Sequence, residues 1–266
     1  MGHMYSILLL FLSTFLFLSH AKEQRESFYC FDIERFEPNH SNLIFQGDAQ
    51  VSATGVLEVT QKKNDGEPVN GSVGRVLYSK PFHIWNRRTN MSKNFVTKLS
   101  FAVRVPSQKH SADGIAFFIA PRDSVIPNGS VGGLLGLFGD SSYSMFRQTF
   151  AVEFDTCFNE DWDPRGHPYH IGVDVNSVKS DKTVPWELHN GEIANVTIWY
   201  NASTNYLGVT LIYDESDEVR SYDLGHTIDL KSVVPEWVQI GISASVGTSQ
   251  GYLESHEVYS WSFHAF

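Results

Sequence analysis

Apolar and polar residues alternate through much of this chain, and that alternation limits what it can fold into. In "FVTKLSFAVRV" (95–105), Phe95, Leu99, Phe101, Val103 and Val105 fall on one face, with Lys98, Ser100 and Arg104 on the other. A period of two marks a strand with one buried face, because successive side chains point to opposite sides. "IANVTIWY" (193–200), "YLGVTLIY" (206–213) and "WVQIGISAS" (237–245) also read as strands, and "HEVYSWSFHAF" closes the chain as a last one. Turn signals separate them: "NDGEP", "PRDSVIPNG", "DPRGHP", "NAST" and "YDESDE". Helical periodicity is scarce, and no repeat, low-complexity tract or linker follows residue 22. Many strands without intervening helices imply an all-β fold of two packed antiparallel sheets, a sandwich or jelly roll. A length of 266 residues fits one large domain or two small ones, with a sizeable core in either case.

The N-terminus reads as a targeting segment. "ILLLFLSTFLFL" is a compact apolar run, short for a membrane span, and "SHA" with the charged "KEQRE" follows it. That is the layout of a signal peptide over residues 1–21, cleaved after Ala21, leaving 22–266 as the mature chain. The segment before the apolar run carries His3 but no Lys or Arg, so an uncleaved anchor is the alternative. No later apolar run is long enough to span a bilayer. The expectation is a soluble chain on the secretory route, extracellular or vacuolar. Asn39, Asn70, Asn90, Asn128, Asn195 and Asn201 each open an N-x-Ser/Thr triplet without proline, so some glycan is expected. Cys30 and Cys157 are too few for a disulfide framework and are expected to be free thiols. The formal charge of -10 disfavours nucleic acid and anionic membrane as partners, and is compatible with cations or neutral ligands.

One segment gathers unusual chemistry. "VEFDTCFNEDWDPRGHPYH" (152–170) holds Glu153, Asp155, Asn159, Asp163 and His170. Glu153 and Asp155 lie on one face of a strand, roughly 7 Å apart along it. The loop after them carries Pro164, Gly166 and Pro168, and "YHIGVDVNS" then alternates as a strand. A hairpin returns His170 alongside Glu153. One imidazole among carboxylates suits a transition ion such as Mn²⁺. Carboxylate, amide and backbone oxygens suit Ca²⁺. The bland reading is an acidic hairpin loop with a surface histidine.

Several stretches then carry a resemblance. "SNLIFQGDAQV" (41–51), "GSVGRVLYSKPFHIW" (71–85), "SADGIAFFIAP" (111–121), "GGLLGLF" (132–138), "AVEFDT" (151–156), "WDP" (162–164), "HIGVDVNSVKS" (170–180) and "HEVYSWSF" (256–263) resemble the legume (L-type) lectins. The blocks occur in family order from about Ser27 to the C-terminus. The resemblance implies a jelly-roll sandwich of a flat back sheet and a curved front sheet. It implies Mn²⁺ at Glu153, Asp155, Asp163 and His170, and Ca²⁺ at Asp155, Asn159, Asp163 and the Cys157 carbonyl. It implies a sugar site in which Asp113 accepts from hydroxyls across a cis Ala112–Asp113 peptide, and Gly133 and Asn159 donate N–H groups. It also implies a homodimer or tetramer.

Two departures stand out. Most family members place an aromatic residue where Cys157 stands between Asp155 and Asn159, so the ring under the sugar is missing. The loop "GTSQGYLES" (247–255) is long, nearer the galactose-type members, which makes Thr248, Ser249, Gln250 and Tyr252 candidate specificity residues. The leading expectation is a secreted, metal-dependent lectin without catalysis that binds glycans or glycoproteins. A lectin-like storage or defence protein with weak or lost sugar binding is the alternative. A glycosidase on the same architecture is a third class, and retaining hydrolysis would need a carboxyl pair about 5–5.5 Å apart with one member protonated. No carboxylate pair stands spare once Glu153 and Asp155 are assigned to metal.

Overall fold

The computed structural model describes residues 29–139, 148–214 and 219–266. The proposed signal peptide, 1–21, lies outside the described residues. In chain order the strands are β1 (Tyr29–Ile33), β2 (Leu43–Gly47), β3 (Gln50–Val51), β4 (Leu57–Glu58), β5 (Val73–Tyr78) and β6 (Phe82–His83). They continue with β7 (Trp85–Asn86), β8 (Met91–Ser92), β9 (Phe95–Arg104), β10 (Gly114–Pro121), β11 (Phe150–Asp155) and β12 (His170–Val175). The last are β13 (Lys182–Pro185), β14 (Ala194–Asn201), β15 (Tyr206–Tyr213), β16 (Arg220–Thr227), β17 (Trp237–Ser245) and β18 (Ser255–Ala265). Only short 3-10 turns at Gly132–Leu134 and Leu230–Ser232 interrupt this all-β pattern among the described residues.

Two eight-stranded sheets form the body. The first runs β16-β15-β14-β9-β18-β4-β3, with β1 also on β18, and the second runs β13-β12-β11-β10-β17-β5-β2, with β6 also on β17. Their strand pairs are antiparallel. The inward faces of both sheets make one core, including Leu99, Phe101, Val196, Ile198 and Trp261 from the first and Ile115, Phe117, Val152, Phe154 and Ile242 from the second. Burying each such side chain stabilises the fold by about 1.5–3 kcal/mol. Phe31 of β1 stacks on Tyr78 of β5 with centroids 3.9 Å apart, which ties the two sheets at one end.

The second sheet is covered on its other side as well. Ala116, Phe118 and Ala120 of β10 and Ala151 of β11 pack under Leu135, Leu137 and Phe138. Two hydroxyls of β17 pin this covering segment. Ser245 Oγ accepts from the Gly132 N–H at 2.7 Å, and Ser243 Oγ donates to the Leu135 carbonyl at 2.5 Å. β10 and β11 are therefore buried on both faces, and their sequences "GIAFFIAP" and "FAVEFD" read as near-continuous apolar runs. Against that background the polar groups that β11 and β12 do carry, Glu153, Asp155, His170 and Asp174, stand out as buried exceptions.

Candidate functional site

The β11–β12 hairpin builds the acidic cluster. Its register sets Glu153 opposite Gly172 and Asp155 opposite His170. The sequence reading placed His170 alongside Glu153. The pairing instead puts it one position along the same face, and the ring reaches diagonally so that Nε2 lies 3.0 Å from Glu153 Oε1. One ligand atom from each of Glu153, Asp155 and His170 falls within 4.8 Å of the others. The room for this comes from Gly172. A Cβ there would sit 2.4 Å from Glu153 Oε1 and 2.1 Å from Ser180 Oγ.

Ser180 and Asp174 belong to the same cluster, although the sequence reading named neither. Ser180 Oγ lies 2.7 Å from Glu153 Oε1 and 2.6 Å from Asp174 Oδ1. A single hydroxyl proton cannot serve both carboxylates. Burial first, and then the neighbouring Glu153, hold Asp174 well above the usual carboxylate range. Asp155 is raised in the same way by burial, then by Glu153 and Asp163. Burial also pushes Asp163 up to about 6. The signal that could have found Asp174 is the alternation of β12 itself, since His170, Gly172 and Asp174 share one face.

Five buried polar atoms around this cluster have no hydrogen-bond partner: Glu153 Oε2, Asp155 Oδ2, Asn159 Oδ1, His170 Nδ1 and Asp174 Oδ2. In folded proteins the large majority of buried polar atoms are paired, and five of the eleven buried side-chain atoms without a partner among the described residues gather here. An excess of orphaned anionic oxygens fits a bound cation better than it fits a bare acidic loop. Glu153, Asp155 and His170 supply an oxygen-rich set with one imidazole, suited to a transition ion. Asp155, Asn159 and Asp163 supply oxygens suited to Ca²⁺. The loop that carries them is held by its own bonds. The Cys157 N–H donates to Asp155 Oδ1 at 2.7 Å, and the Asn159 N–H donates to Asp163 Oδ2. Trp186 Nε1 donates to the Asp155 carbonyl at 3.0 Å.

Asp113 faces the other side of that loop. The Ala112–Asp113 peptide is cis, the form implied by the resemblance. The carboxylate is 6% exposed and its Oδ2 accepts from the Gly247 N–H at 2.6 Å. Among the described residues no donor reaches Oδ1. Burial pushes this carboxyl up to about 6, against the lowering effect of the Gly247 N–H. Gly133 abuts Asn159, since a Cβ at 133 would lie 2.5 Å from Asn159 Oδ1. Thr248, Ser249 and Gln250 stand exposed in the loop that begins at Gly247, and among the described residues their side chains make no hydrogen bond. Cys157 is a half-buried free thiol, pushed up to about 12 by burial and then by the nearby Asp113 and Asp155.

Thr156 joins these parts. Its N–H donates to the Asp113 carbonyl at 3.1 Å, and its Oγ1 donates to Glu254 Oε1 at 2.7 Å. Glu254 Oε1 also lies 2.7 Å from His256 Nε2, and His256 Nδ1 lies 3.0 Å from Thr60 Oγ1. Thr60, Thr156, Glu254 and His256 are all fully buried. No sequence spacing signals this network, because Thr60 and His256 are 196 residues apart.

Residues 29–265 match the family model of the legume lectin domain. The bark agglutinin I polypeptide B of Robinia pseudoacacia is 46% identical over 257 residues, covering 97% of this chain and 88% of that protein. A lectin-related protein of Cladrastis kentukea is 46% identical over 259 residues, covering 97% of this chain and 87% of that protein. Among solved structures, lectin UEA-II complexed with galactose superposes with a TM-score of 0.82 at 45% identity, covering 89% of this chain and 98% of that one.

The raised carboxyls set a pH signature. Asp113 and Asp163 hold protons more tightly in the metal-free fold, at about 6, than in the unfolded chain, near 3.8. Their contribution to stability is therefore present at low pH and is lost as pH rises from about 4 to about 6. The chelated protein should melt lower at pH 7 than these groups allow at pH 5. Ca²⁺ and Mn²⁺, each at a hundredfold excess over its Kd, should each add about 2.7 kcal/mol, roughly 5–10 °C, at pH 7. The gain should shrink at pH 5, where protons compete. Scanning calorimetry at both pH values, with and without chelator, checks this; a melting temperature indifferent to metal at pH 7 would speak for a bare loop. Gly172→Ala should displace the Glu153 carboxylate and weaken metal binding about 10- to 100-fold, read by chelator competition, with the far-ultraviolet circular dichroism unchanged.

Proposed function

This chain belongs to the legume lectin family, and on that premise we propose that it is a secreted, metal-dependent lectin that holds a sugar at Asp113 and catalyses nothing. The observation that carries the reading is the placement of Asp113. One oxygen is fixed by the Gly247 N–H, the other takes no donor among the described residues, and Gly132 and Gly247 lie against the carboxylate, with Gly133 and Asn159 in contact next to them. A buried carboxylate oxygen held for an incoming donor suits neutral polyols, whose hydroxyls donate in directed pairs. Gly133 lets a ring approach the backbone closely, since it has no Cβ. Asn159, whose Oδ1 lies against Gly133, would supply an oxygen to Ca²⁺ and its amide N–H groups to a hydroxyl. Bound Mn²⁺ and Ca²⁺ would neutralise the acidic cluster and hold residues 155–163 in place. Thr156 would carry that order to Asp113 through its N–H.

The relatives are lectins, which bind sugars without catalysis. Galactose is the first sugar to test, because a similar lectin was solved with it. Secretion accords with the sequons: Asn39, Asn70, Asn90 and Asn128 are exposed in turns, whereas Asn195 and Asn201 are half-buried on β14. No helix among the described residues is long and apolar enough to cross a membrane. An extracellular or vacuolar destination and a homodimer or tetramer complete the proposal.

Cys157 favours a second reading, a lectin-like storage or defence protein with weak or lost sugar binding. The thiol stands where the family's ring would, and one relative of similar identity is named only as lectin-related. A glycan array probed with protein loaded with both metals separates the two readings, since silence across the array supports the second.

Asp113→Asn should preserve the bond from Gly247, because the amide oxygen still accepts, but remove the anionic acceptor. The expected loss is about 1.5–3 kcal/mol of binding energy with metals retained. Calorimetry on galactose or the best array sugar reads it, and unchanged affinity places the site elsewhere. Cys157→Phe should strengthen monosaccharide binding. A few tens of Å² of sugar C–H face buried on the ring is worth about 1 kcal/mol. Cys157 is a free thiol, so no disulfide is lost. A lower affinity in this variant would mean that the gap is already filled.

A further inference from the structure

The outward face of the first sheet carries an aromatic pair beside a sequon. Trp199 on β14 and Tyr206 on β15 have ring centroids 5.3 Å apart with planes inclined at 38°, and each is 38% exposed. Two glycines let the rings lie down on the sheet. A Cβ at Gly208 would sit 2.3 Å from Trp199 Cε2, and one at Gly225 would sit 2.0 Å from the Tyr206 hydroxyl oxygen. Gly208 pairs with Trp199 on one side and with Gly225 on the other, so the two glycines stand level on β15 and β16. A glycine inside a strand gives up side-chain packing and serves where another group must approach the backbone closely. Here an indole and a phenol make that approach, and both keep a face toward solvent.

Asn201 stands next to both rings. It opens the triplet Asn201, Ala202, Ser203, follows Trp199 by two positions on the same face of β14, and pairs directly with Tyr206. The intervening Tyr200 and Leu207 point into the core. Same-face neighbours on a strand are about 7 Å apart and directly opposed side chains about 5 Å, separations within reach of one pyranose. The Asn201 amide is oriented by its own turn. Its Oδ1 accepts from the Ser203 N–H at 3.0 Å and from Ser203 Oγ at 2.7 Å, and its Nδ2 has no partner among the described residues. The turn is held by the Ala202 N–H on Asn94 Oδ1 at 2.9 Å and by the Tyr200 hydroxyl on Asn205 Oδ1 at 3.0 Å. Asn195, the other sequon on β14, differs: its Oδ1 accepts from Ser100 Oγ at 2.8 Å and its Nδ2 donates to Asp214 Oδ1 at 3.2 Å.

We propose that Asn201 carries an N-linked glycan whose first N-acetylglucosamine stacks on Trp199 and Tyr206 and stabilises this end of the sandwich. This rests on the secretory route proposed for the chain and is independent of sugar binding at Asp113. In the transfer step a bond forms between Asn201 Nδ2 and the anomeric carbon of a lipid pyrophosphate-linked oligosaccharide. The bond from that carbon to the pyrophosphate oxygen breaks, the amide loses one proton, and the lipid pyrophosphate leaves. Transfer takes place on the nascent chain, before β14 forms, so the partial burial of Asn201 in the fold does not block it. On folding, the C–H face of the sugar covers aromatic surface that otherwise meets water. Because the turn and both rings are already fixed, the contact costs little ordering entropy.

The test uses the full chain secreted from cells that attach high-mannose glycans, with Ca²⁺ and Mn²⁺ present. Glycopeptide mass spectrometry should find Asn201 occupied. Asn201→Gln should lower the melting temperature by about 2–4 °C, the worth of about 40 Å² of covered apolar surface in a domain of this size. Ser203→Ala, which removes the glycan and keeps Asn201, should do the same. Trimming to one N-acetylglucosamine per site with an endoglycosidase should preserve the margin between the wild type and Asn201→Gln. In a Trp199→Ala background the Asn201→Gln change should lose most of its effect, and in a Trp199→Phe background it should keep most of it. An empty Asn201 with glycan on other sequons overturns the site and leaves the secretory reading standing. A chain without glycan at any sequon overturns both. An occupied Asn201 whose loss costs the same with and without Trp199, or a margin lost on trimming, overturns the stacking.

Discussion

Four carboxylates, Glu153, Asp155, Asp163 and Asp174, are buried on one hairpin, and the one basic side chain at ion-pair distance from them among the described residues is His170. Burying one anion is costly, and burying several side by side is more so. Without a cation the protein answers by holding protons, as the raised Asp155 and Asp174 show. Proton retention leaves the buried oxygens of Glu153, Asp155 and Asp174 without partners, and the Asn159 amide oxygen with them. Divalent cations would satisfy charge and coordination at once. The hairpin is shaped to accept this arrangement, since Gly172 makes space and Ser180 bridges two of the acids.

The ligand side is attached to the same hairpin by backbone. Thr156 follows directly on Asp155 and bonds both Asp113 and Glu254. Ser243 and Ser245 pin the glycine segment whose Gly133 meets Asn159. The acidic loop, the Asp113 turn, the glycine segment and the 247–255 loop thus share hydrogen-bonded supports. The acidic loop and Asp113 are joined directly by the Thr156 N–H, 3.1 Å from the Asp113 carbonyl.

Several strands were legible from their alternation, even β17, which is buried on both faces. β15 and β17 lie where the alternation put them, and β14 is displaced by a single residue. β9 shows the read pattern, with Phe95, Leu99, Phe101 and Val103 buried and Lys98 and Arg104 exposed. β16 was not read, because only Leu224 on that edge strand is buried and its other residues carry no apolar period. The two-residue strands β3, β4, β6, β7 and β8 are too short for any period to show. Within the site, Glu153, Asp155 and His170 were legible because they are close in sequence and strand geometry aligns them. Asp174 shares that face but was passed over inside an apolar run. Glu254, His256 and Thr60 were beyond sequence reading, since only the sheet topology brings β4, the β11 end and β18 together.

The central claim is that the buried carboxylates exist to hold cations, and metal content tests it most directly. Protein equilibrated with Ca²⁺ and Mn²⁺ at pH 7, freed of loose ions by gel filtration and measured by elemental analysis should carry one transition ion and one Ca²⁺ per chain. Metal content near zero would contradict the account and leave the cluster as a proton-holding feature of the fold.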